Sequence, residues 1–382
     1  MGKNVIDEIA FYIHEELIYD HYKNVLKKLD INFTLLINDK IAKSDLIQEF
    51  KKENFNFTFL SEIKNSKYKY LVTNHYISGN SFHYNIFHKI NNIVIRLIKI
   101  INSRILKNLF NVNFKQYLLY FPLRYGEKNI RFCYGLHLSP WDLDKWNSIY
   151  DVFLAHGPLD GKILNDKYKK PFVEIGYPRY DDYFNSKIDI VDLKKEFDID
   201  DKLKTILWMP TFGDKICSIP FYLDELKALS EDYNVILRPH PLTVKHSPDL
   251  IKKITKIKSI KIDLAPNRPL AKMYSLADYV LLDYCGPVLS SIYLDKKIML
   301  LNIPGAEEDP NVKGSLALEL RSKILSFNFG ELSKMKKFLS DKIFWDKQLK
   351  EQKKIRKKYF FDCRGNCSDN VASYFNSIDK II

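Results

Sequence analysis

The second half of the chain alternates short β-rich runs with helical patterns, and this alternation restricts the fold more than any other feature of the sequence. The β-rich runs are Thr205–Thr211, Asn234–His240, Ser259–Leu264, Asp278–Tyr284 and Lys297–Ile303. The helical patterns between them are Phe221–Leu229, Pro248–Ile257, Leu270–Ala277 and Val288–Leu294. Continuous apolar runs of this length are typical of parallel strands buried on both faces. The order therefore predicts a doubly wound α/β domain.

The first half has the same organisation in a looser form. Its strand candidates are Ile31–Ile37, Phe55–Leu60, Tyr68–Asn74, Gln116–Phe121, Val152–Ala155 and Phe172–Ile175. The sequence thus predicts two Rossmann-like domains, with a ligand cleft between them at the carboxyl ends of the strands. We expect a first domain over residues 1–184, a polar junction over 185–204 and a second domain over 205–340. Helices over 341–382 are expected to pack back toward the first domain.

Composition agrees with a globular protein of this kind. Of the 382 residues, 46% are apolar, which is enough to build substantial cores and excludes a disordered chain. Sixty Lys and Arg against 47 Asp and Glu give a formal net charge of +13. Such a charge favours phosphate-rich partners, which include nucleic acid, anionic lipid and nucleotide-activated substrates.

The five cysteines are odd in number and scattered, which predicts a reducing compartment rather than a disulfide framework. Cys363 and Cys367 lie four apart, but no second pair or histidine at ligand spacing accompanies them, so we expect no metal site. The early Asp7 and Glu8 interrupt any apolar signal-peptide core. No segment supplies about 20 uncharged apolar residues, so no membrane-spanning helix is expected.

Residues 91–110 read NNIVIRLIKIINSRILKNLF, which predicts a basic amphipathic helix. Arg96, Lys99, Arg104 and Lys107 fall on one side of it, opposite an aliphatic side. One interpretation is a membrane-surface helix, whose cations meet anionic headgroups while its aliphatic side enters the acyl boundary. The alternative is a helix that covers the sheet of its own domain.

Polar residues follow the predicted strands of the second half, whereas P-loop, G-x-G-x-x-G and G-x-S-x-G motifs are absent. The first group is the run Arg238-Pro-His240-Pro, whose two prolines fix the backbone on either side of His240. A rigid histidine there suits a cation or hydrogen-bond donor at a diphosphate, although an ordinary loop histidine remains the alternative.

The second group is Asp283-Tyr-Cys285-Gly286-Pro, which opens a predicted helix. Gly286 permits a close backbone approach, and the N–H groups of Val288 and Leu289 at the helix start predict an anion site. Ser290 and Ser291 either add hydroxyl groups to this site or bond back to helix carbonyls.

An ordered series of motifs resembles the CDP-glycerol glycerophosphotransferase family, which includes teichoic acid primases and polymerases. The series is ILWMPT (206–211), VILRPHPLT (235–243), LAKMYSLADYVLLDY (270–284) and LDKKIMLLNIPG (294–305). Three further segments are similar to the family's opening strand and helix, its domain-end segment and its C-terminal tail, namely 10–29, 174–184 and 361–372.

The resemblance implies a GT-B architecture, with the nucleotide on the second domain and the acceptor on the first. It implies transfer of glycerol phosphate or a related alditol phosphate from a CDP-activated donor to a hydroxyl of a cell-wall, capsule or lipid-linked glycan, releasing CMP. It also implies a cytoplasmic enzyme, peripheral on the inner face of the cell membrane and in contact with its anionic surface. We expect no cofactor and no obligatory metal. The expected donor site is Arg238, His240, Thr211, Asp283, Cys285, Gly286, Val288, Ser290 and Ser291.

The sequence departs from the family pattern in two places. Cys285-Gly286 stands where many members have two serines, and the family's histidine-glycine pair in the first domain has no clean counterpart, with Leu123 standing at one alignment of the histidine. His156 and His137 are the nearest replacements for that catalytic base. We favour His156 because it ends a predicted strand and precedes Gly157.

Two alternatives use the same observations. One is a GT-B glycosyltransferase that uses a CMP-, CDP- or UDP-sugar in capsule or lipopolysaccharide synthesis. The other is a nucleic-acid-binding protein, suggested by the cation-rich run 334–358. No nucleic-acid-binding motif accompanies that run, so we expect no nucleic acid partner. We expect a helix there that packs through Phe338, Ile343, Phe344 and Trp345 with its charges outward.

Overall fold

A computed structural model describes residues 4–63, 66–76, 120–134, 143–265 and 267–380. The predicted amphipathic helix at 91–110 and His137 lie outside these ranges.

The first half forms a sheet of seven parallel strands in the order β3-β2-β1-β4-β5-β6-β7. The strands are β1 (Asn4–Ile13), β2 (Phe33–Ile37), β3 (Phe57–Phe59), β4 (Ser66–Thr73), β5 (Gly126–Phe132), β6 (Val152–Ala155) and β7 (Phe172–Glu174). Every pair of neighbours is parallel, so the carboxyl ends of all seven strands lie along one edge.

The second half forms a sheet of six parallel strands in the order β10-β9-β8-β11-β12-β13. They are β8 (Thr205–Met209), β9 (Asn234–Leu237), β10 (Lys261–Ile262), β11 (Tyr279–Leu282), β12 (Lys297–Leu301) and β13 (Ser326–Phe327). The order reverses direction at β8 and β11, which is where open α/β sheets bind ligands.

Helices connect the strands and cover the sheets. In the first half they are α1 (Glu16–Leu26), α2 (Leu46–Lys52), α3 (Pro122–Tyr125), α4 (Pro158–Tyr168), α5 (Asp181–Phe184) and α6 (Val191–Glu196). In the second half they are α7 (Ile219–Leu229), α8 (Pro241–His246), α9 (Pro248–Ile254), α10 (Leu270–Leu276), α11 (Pro287–Tyr293), α12 (Leu316–Arg321), α13 (Lys336–Leu339), α14 (Lys342–Tyr359) and α15 (Cys367–Asn376). The predicted doubly wound α/β class is confirmed.

Both faces of the second sheet are buried, as its continuous apolar runs predict. Along β8, Leu207 and Met209 belong to one core, while Ile206 and Trp208 belong to the core on the opposite face. Successive strand side chains alternate between faces, so an uninterrupted apolar run fills two cores at once.

The C-terminal segment completes the first half of the molecule. Val371 and Phe375 of α15 are fully buried in the core on one face of the first sheet, where the Phe375 ring meets that of Phe11 at 5.2 Å between centroids. α14, by contrast, buries Trp345 in a core of the second sheet. The polar segment 185–204 also takes part in packing, because Leu193 is buried in a core of the second sheet.

The first sheet departs from the predicted strands in two places, and the C-terminal region departs from its predicted packing in one. Phe121 precedes helix α3 and is not in a strand, and residues 116–119 lie outside the described ranges. β5 was not predicted, because exposed Glu127 and Lys128 at its beginning interrupt the apolar pattern. In the C-terminal region, Ile343 was expected in a packed face but is 84% exposed.

The expectation of five unpaired cysteines is wrong for one pair. Cys363 and Cys367 form a disulfide at the start of α15, and the other three cysteines are free and buried. Both sulfur atoms lie against Gly176, where a Cβ atom would come within 2.5 Å of each of them. Gly176 also has φ +64°, so no other residue fits there without strain.

Candidate active site

A cleft lies at the carboxyl edge of the second sheet, between the loops that follow β8, β11 and β12. It encloses about 240 Å³. Four residues expected at the donor site line it, namely Thr211, Cys285, Gly286 and Val288. Asn311 and Ser315, from the loop after β12, complete its wall and were not predicted from the sequence. We call this space the edge cavity.

Asp283 supports the edge cavity from beneath instead of facing it. Its carboxylate is fully buried and accepts hydrogen bonds from the backbone N–H groups of Thr211 at 2.8 Å and Ser218 at 2.9 Å. Burial raises the pKa of Asp283 to about 6. The expectation of direct donor contact is therefore corrected, since this carboxylate joins the loop after β8 to the end of β11.

The expected anion site at the start of α11 is also corrected. The N–H of Val288 donates to Cys285 O at 3.3 Å and that of Leu289 donates to Gly286 O at 3.1 Å, so neither is free. Ser290 and Ser291 are buried in the helix packing, where the Ser291 hydroxyl donates to the Tyr274 hydroxyl. The two serines therefore add no hydroxyl groups to the edge cavity.

Arg238 is held in a network of buried charges. Its Nη1 donates to Asp263 Oδ2 at 3.0 Å and its Nη2 to Arg268 O at 2.7 Å. Asp263 is fully buried and also accepts from Arg268 Nε at 3.0 Å. This pairing could not be predicted from the sequence, because Asp263 lies 25 residues from Arg238, at the end of the neighbouring strand.

His240 is arranged as a hydrogen-bond donor. Its Nδ1 accepts from the backbone N–H of Leu242 at 3.1 Å, so the proton of the neutral ring sits on Nε2. The ring is partly exposed and lies 6.3 Å from that of Phe212, which lines the edge cavity. A donor in this place suits a charged oxygen and not the removal of a proton.

Hydrogen-bonding rings line the carboxyl edge of the first sheet in strand order. They are His14 after β1, His75 after β4, Tyr134 after β5, His156 after β6 and Tyr177 after β7. The His14 and His75 rings lie 4.3 Å apart, and those of His156 and Tyr177 lie 4.8 Å apart. Burial lowers the pKa of His14 to about 4 and that of His75 well below its ordinary range. Both are therefore neutral at pH 7.

His156 is oriented by an acidic neighbour. Asp160 Oδ2 lies 3.2 Å from His156 Nδ1 and accepts the backbone N–H of the same histidine at 2.9 Å. A carboxylate accepts only, so the neutral ring carries its proton on Nδ1 and presents a lone pair at Nε2. The ring is 1% exposed, and Phe360 of the C-terminal segment lies against it. His156 thus follows β6 directly, as the sequence predicts, but its ring is buried.

The two edges meet around Arg238. Burial lowers the pKa of Arg238, Asp263 opposes that effect, and Arg179 of the first half lowers the pKa further. Arg179 in turn forms an ion pair with Asp20 on α1. A guanidinium group of the first half therefore lies within electrostatic range of Arg238 in the second half.

The described residues contain neither a cluster of metal-ligating side chains nor a membrane-spanning helix. No group of three or more His, Cys, Asp or Glu side chains there could hold a metal ion. In that part of the chain, no helix is both long and apolar enough to cross a bilayer.

Comparison with known proteins supports the resemblance to a family. Residues 142–300, which include the Arg238 network and the part of the edge cavity from Thr211 to Leu289, match the model described as CDP-glycerol:poly(glycerophosphate) glycerophosphotransferase. The match covers less than half of the chain. The resemblance expected from the motifs is confirmed over these residues.

Two curated proteins from Bacillus spizizenii are similar in sequence to this chain. The teichoic acid glycerol-phosphate primase is 27% identical over 209 residues, which cover 54% of this chain and 52% of the primase. The teichoic acid poly(glycerol phosphate) polymerase is 28% identical over 181 residues, covering 42% of each chain. The chain spans about half the length of the curated relatives that it matches.

Solved structures confirm the GT-B fold. A variant of the wall teichoic acid polymerase TagF with CDPG superposes with a TM-score of 0.66 at 14% identity, covering 99% of this chain and 89% of that one. The Staphylococcus aureus MnaA–UDP structure gives a TM-score of 0.60 at 12% identity, covering 99% and 98%. Two doubly wound domains facing a cleft are therefore the architecture of this chain.

Proposed function

We propose that this protein transfers glycerol phosphate, or a related alditol phosphate, from a CDP-activated donor to a hydroxyl group of a glycan or lipid-linked acceptor and releases CMP. The observation that carries the proposal is the family match over residues 142–300, because these residues supply the part of the edge cavity from Thr211 to Leu289. The primase and polymerase relatives act in teichoic acid synthesis, which supports a cell-envelope acceptor.

The donor is proposed to bind at the edge of the second sheet. The nucleoside enters the edge cavity, and the diphosphate extends toward Arg238 and His240 past the Phe212 ring. Arg238 offers its remaining N–H groups and His240 its Nε2 proton to the phosphate oxygens. Fixed donors of this kind stabilise the charge that develops on the departing CMP, which is the main contribution a protein makes to phosphoryl transfer.

The acceptor is proposed to approach from the first sheet. Its hydroxyl oxygen attacks the β-phosphorus in line with the bond to CMP, and a base removes the hydroxyl proton. His156 is our candidate for this base, because Asp160 holds its proton on Nδ1 and leaves Nε2 to accept. His137, the other candidate, lies outside the described residues.

We also propose a division of roles between the domains and a position of the protein at the membrane. The division at 1–184, 185–204, 205–340 and 341–382 places acceptor and donor on different domains. The net charge of +13 and the sequence at 91–110 support a peripheral position on the inner, anionic face of the cell membrane.

The test is ligand-dependent thermal unfolding, with turnover measured on the same protein. CDP-glycerol and CMP are expected to stabilise the protein more than UDP or UMP at equal concentration. A ligand at one hundred times its dissociation constant stabilises the folded protein by about 2.7 kcal/mol relative to the ligand-free protein. Arg238→Gln is expected to abolish most of that shift, while Lys272→Gln, an exposed control on α10, keeps it. Stabilisation by UDP alone would replace this proposal with the sugar-transferase alternative.

A further inference from the structure

His21 on α1 has its tautomer fixed by an arginine. Arg179 Nη1 lies 3.3 Å from His21 Nε2, and Arg179 itself is held by its ion pair with Asp20. A guanidinium group only donates, so His21 Nε2 accepts and the ring carries its proton on Nδ1. Burial and then Arg179 lower the pKa of His21 well below its ordinary range, which keeps the ring neutral.

Two histidine atoms at this edge lack hydrogen-bond partners within the described part of the chain. They are Nδ1 of His21, which is a donor, and Nε2 of His156, which is an acceptor. His21 is 4% exposed and His156 is 1% exposed, so water scarcely reaches either atom. An unmet buried donor or acceptor destabilises the folded protein, and a bound group of the right kind would recover that loss.

The two rings share one neighbour. Tyr177 lies 4.8 Å from His156 and 6.4 Å from His21 between ring centroids, and Tyr134 contacts the His21 ring at 5.4 Å. His156 is also close enough to contribute to the lowered pKa of His21. One donor and one acceptor therefore lie beside the same tyrosine.

We propose that His21 and His156 together bind the acceptor hydroxyl group, which donates to His156 Nε2 and accepts from His21 Nδ1. This inference rests on the proposed function. During transfer, the hydroxyl oxygen forms a bond to the β-phosphorus while the bond from that phosphorus to the CMP oxygen breaks. The hydroxyl proton moves to His156 Nε2, and His21 keeps its own proton. His21 is thus a second catalytic residue, because it touches the attacking oxygen.

The pair selects for the chemistry of its ligand. A phosphate or carboxylate oxygen would find one donor but would meet the lone pair of His156. An ammonium group would find one acceptor but would meet the proton of His21. A neutral hydroxyl group satisfies both atoms, which fits an alcohol of a sugar or alditol at the attacking position.

The tautomers can be measured on the wild-type protein without any substrate. Nitrogen-15 spectra of the neutral histidine side chains are expected to show the proton on Nδ1 and a lone pair on Nε2 for both His21 and His156, assigned through His21→Asn and His156→Asn. A proton on Nε2 in either ring would overturn the proposal.

Two substitutions at His21 separate catalysis from packing. Asparagine places an amide nitrogen near the position of Nδ1, whereas glutamine reaches toward Nε2 and keeps the contact with Arg179. His21→Asn is expected to retain the transfer rate within about 10-fold, and His21→Gln to lose about 10²–10³-fold, with CDP-glycerol affinity unchanged in both. Glu15→Gln, at the exposed residue before α1, is the control.

These experiments distinguish failure of the hydroxyl site from failure of the proposed function. Equal losses in the two His21 variants, or a larger loss for asparagine, would show that His21 only supports Arg179 and would overturn the hydroxyl site. Failure of the wild-type protein to bind CDP-glycerol would remove the proposed function, while the tautomer spectra would still decide whether the donor and acceptor pair exists.

Discussion

His14 at the edge of the first sheet has a charge state set by how little water reaches it. His14 has 6% of its surface exposed, and burial alone lowers its pKa to about 4. A neutral imidazole both donates and accepts, whereas its charged form only donates. His14 therefore keeps one donor and one acceptor nitrogen at pH 7. A solvated histidine, by contrast, would be half charged at about pH 6.5.

His14 should make the protein sensitive to acid. The unfolded chain binds a proton near pH 6.5 and the folded chain only near pH 4, so the stability contributed by neutral His14 is full above pH 6.5 and is lost as pH falls toward 4. From pH 7 to pH 5 the loss is about 2 kcal/mol. Urea unfolding at both pH values should show a correspondingly smaller loss for His14→Gln. The exposed His246→Gln serves as the control, and an identical pH dependence in His14→Gln and wild type would contradict the assignment.

Asp263 is expected to contribute strongly to the free energy of unfolding. It is buried between Arg238 and Arg268, so Asp263→Asn leaves the buried Arg238 guanidinium without its carboxylate, while Arg268 keeps its ion pair with Glu196. A loss of about 3–5 kcal/mol in urea unfolding is expected. Asp192→Asn, which removes a fully exposed partner of Lys195, should change stability by less than about 0.5 kcal/mol. A small loss for Asp263→Asn would mean that the network is not buried in solution.

At the scale of elements, the start of α15 is fastened in two ways. The Cys363–Cys367 disulfide closes the turn before the helix, and the Asp181 carboxylate accepts the N–H groups of Cys367 and Ser368. A carboxylate in this position satisfies free donors and complements the helix dipole. The turn is therefore attached to α5 of the first half as well as closed on itself.

Reduction of this disulfide should loosen the turn. The closed loop is short, so its entropic contribution is about 2 kcal/mol. Dithiothreitol should lower the unfolding free energy of the wild type by that amount and leave a Cys363→Ser, Cys367→Ser double variant unchanged. Alkylation of unfolded protein without reductant should label three cysteines. Labelling of all five would show that the pair is reduced.

The elements that could be predicted from the sequence are those buried on both faces. The predicted ends of four strands lie within three residues of the observed ends, namely those of β8, β9, β11 and β12. A short apolar run bounded by polar residues indicates a strand that is buried on both faces. β5 begins with exposed charges, so its first half does not read as a buried strand. The partner of a cysteine depends on backbone geometry, which spacing alone does not supply.

The candidate site was predictable where side chains directly follow strands. Arg238 and His240 were found in this way, and His14 and His75 follow strands as directly and could have been found. Asp263 and Arg268 could not, because their importance comes from contacts across neighbouring strand ends. The start of α11 was misread, since a short helix preceded by its own turn leaves no free N–H groups at Val288 and Leu289.

At the scale of the whole molecule, the net charge and the sequence at 91–110 support binding to anionic membranes. Replacing Arg96, Lys99, Arg104 and Lys107 with glutamine should weaken binding to phosphatidylglycerol vesicles, each cation contributing about 1 kcal/mol. Sedimentation with vesicles at low and high salt measures the effect. Replacing four exposed cations of α14, namely Lys347, Lys350, Lys353 and Lys354, is the charge-matched control. Equal binding by the 91–110 variant and the wild type would assign that segment to sheet covering.

The return of α15 to the first sheet means that the polypeptide passes between the two halves twice. The first passage follows β7 and the second follows α14, and they run side by side, with Asn185 Nδ2 donating to Gly365 O at 2.8 Å. A single connection would leave the two halves free to rotate about any axis that passes through it, whereas two adjacent connections restrict that rotation. The edges of the two sheets are therefore held in a more constant alignment than a single connection would allow.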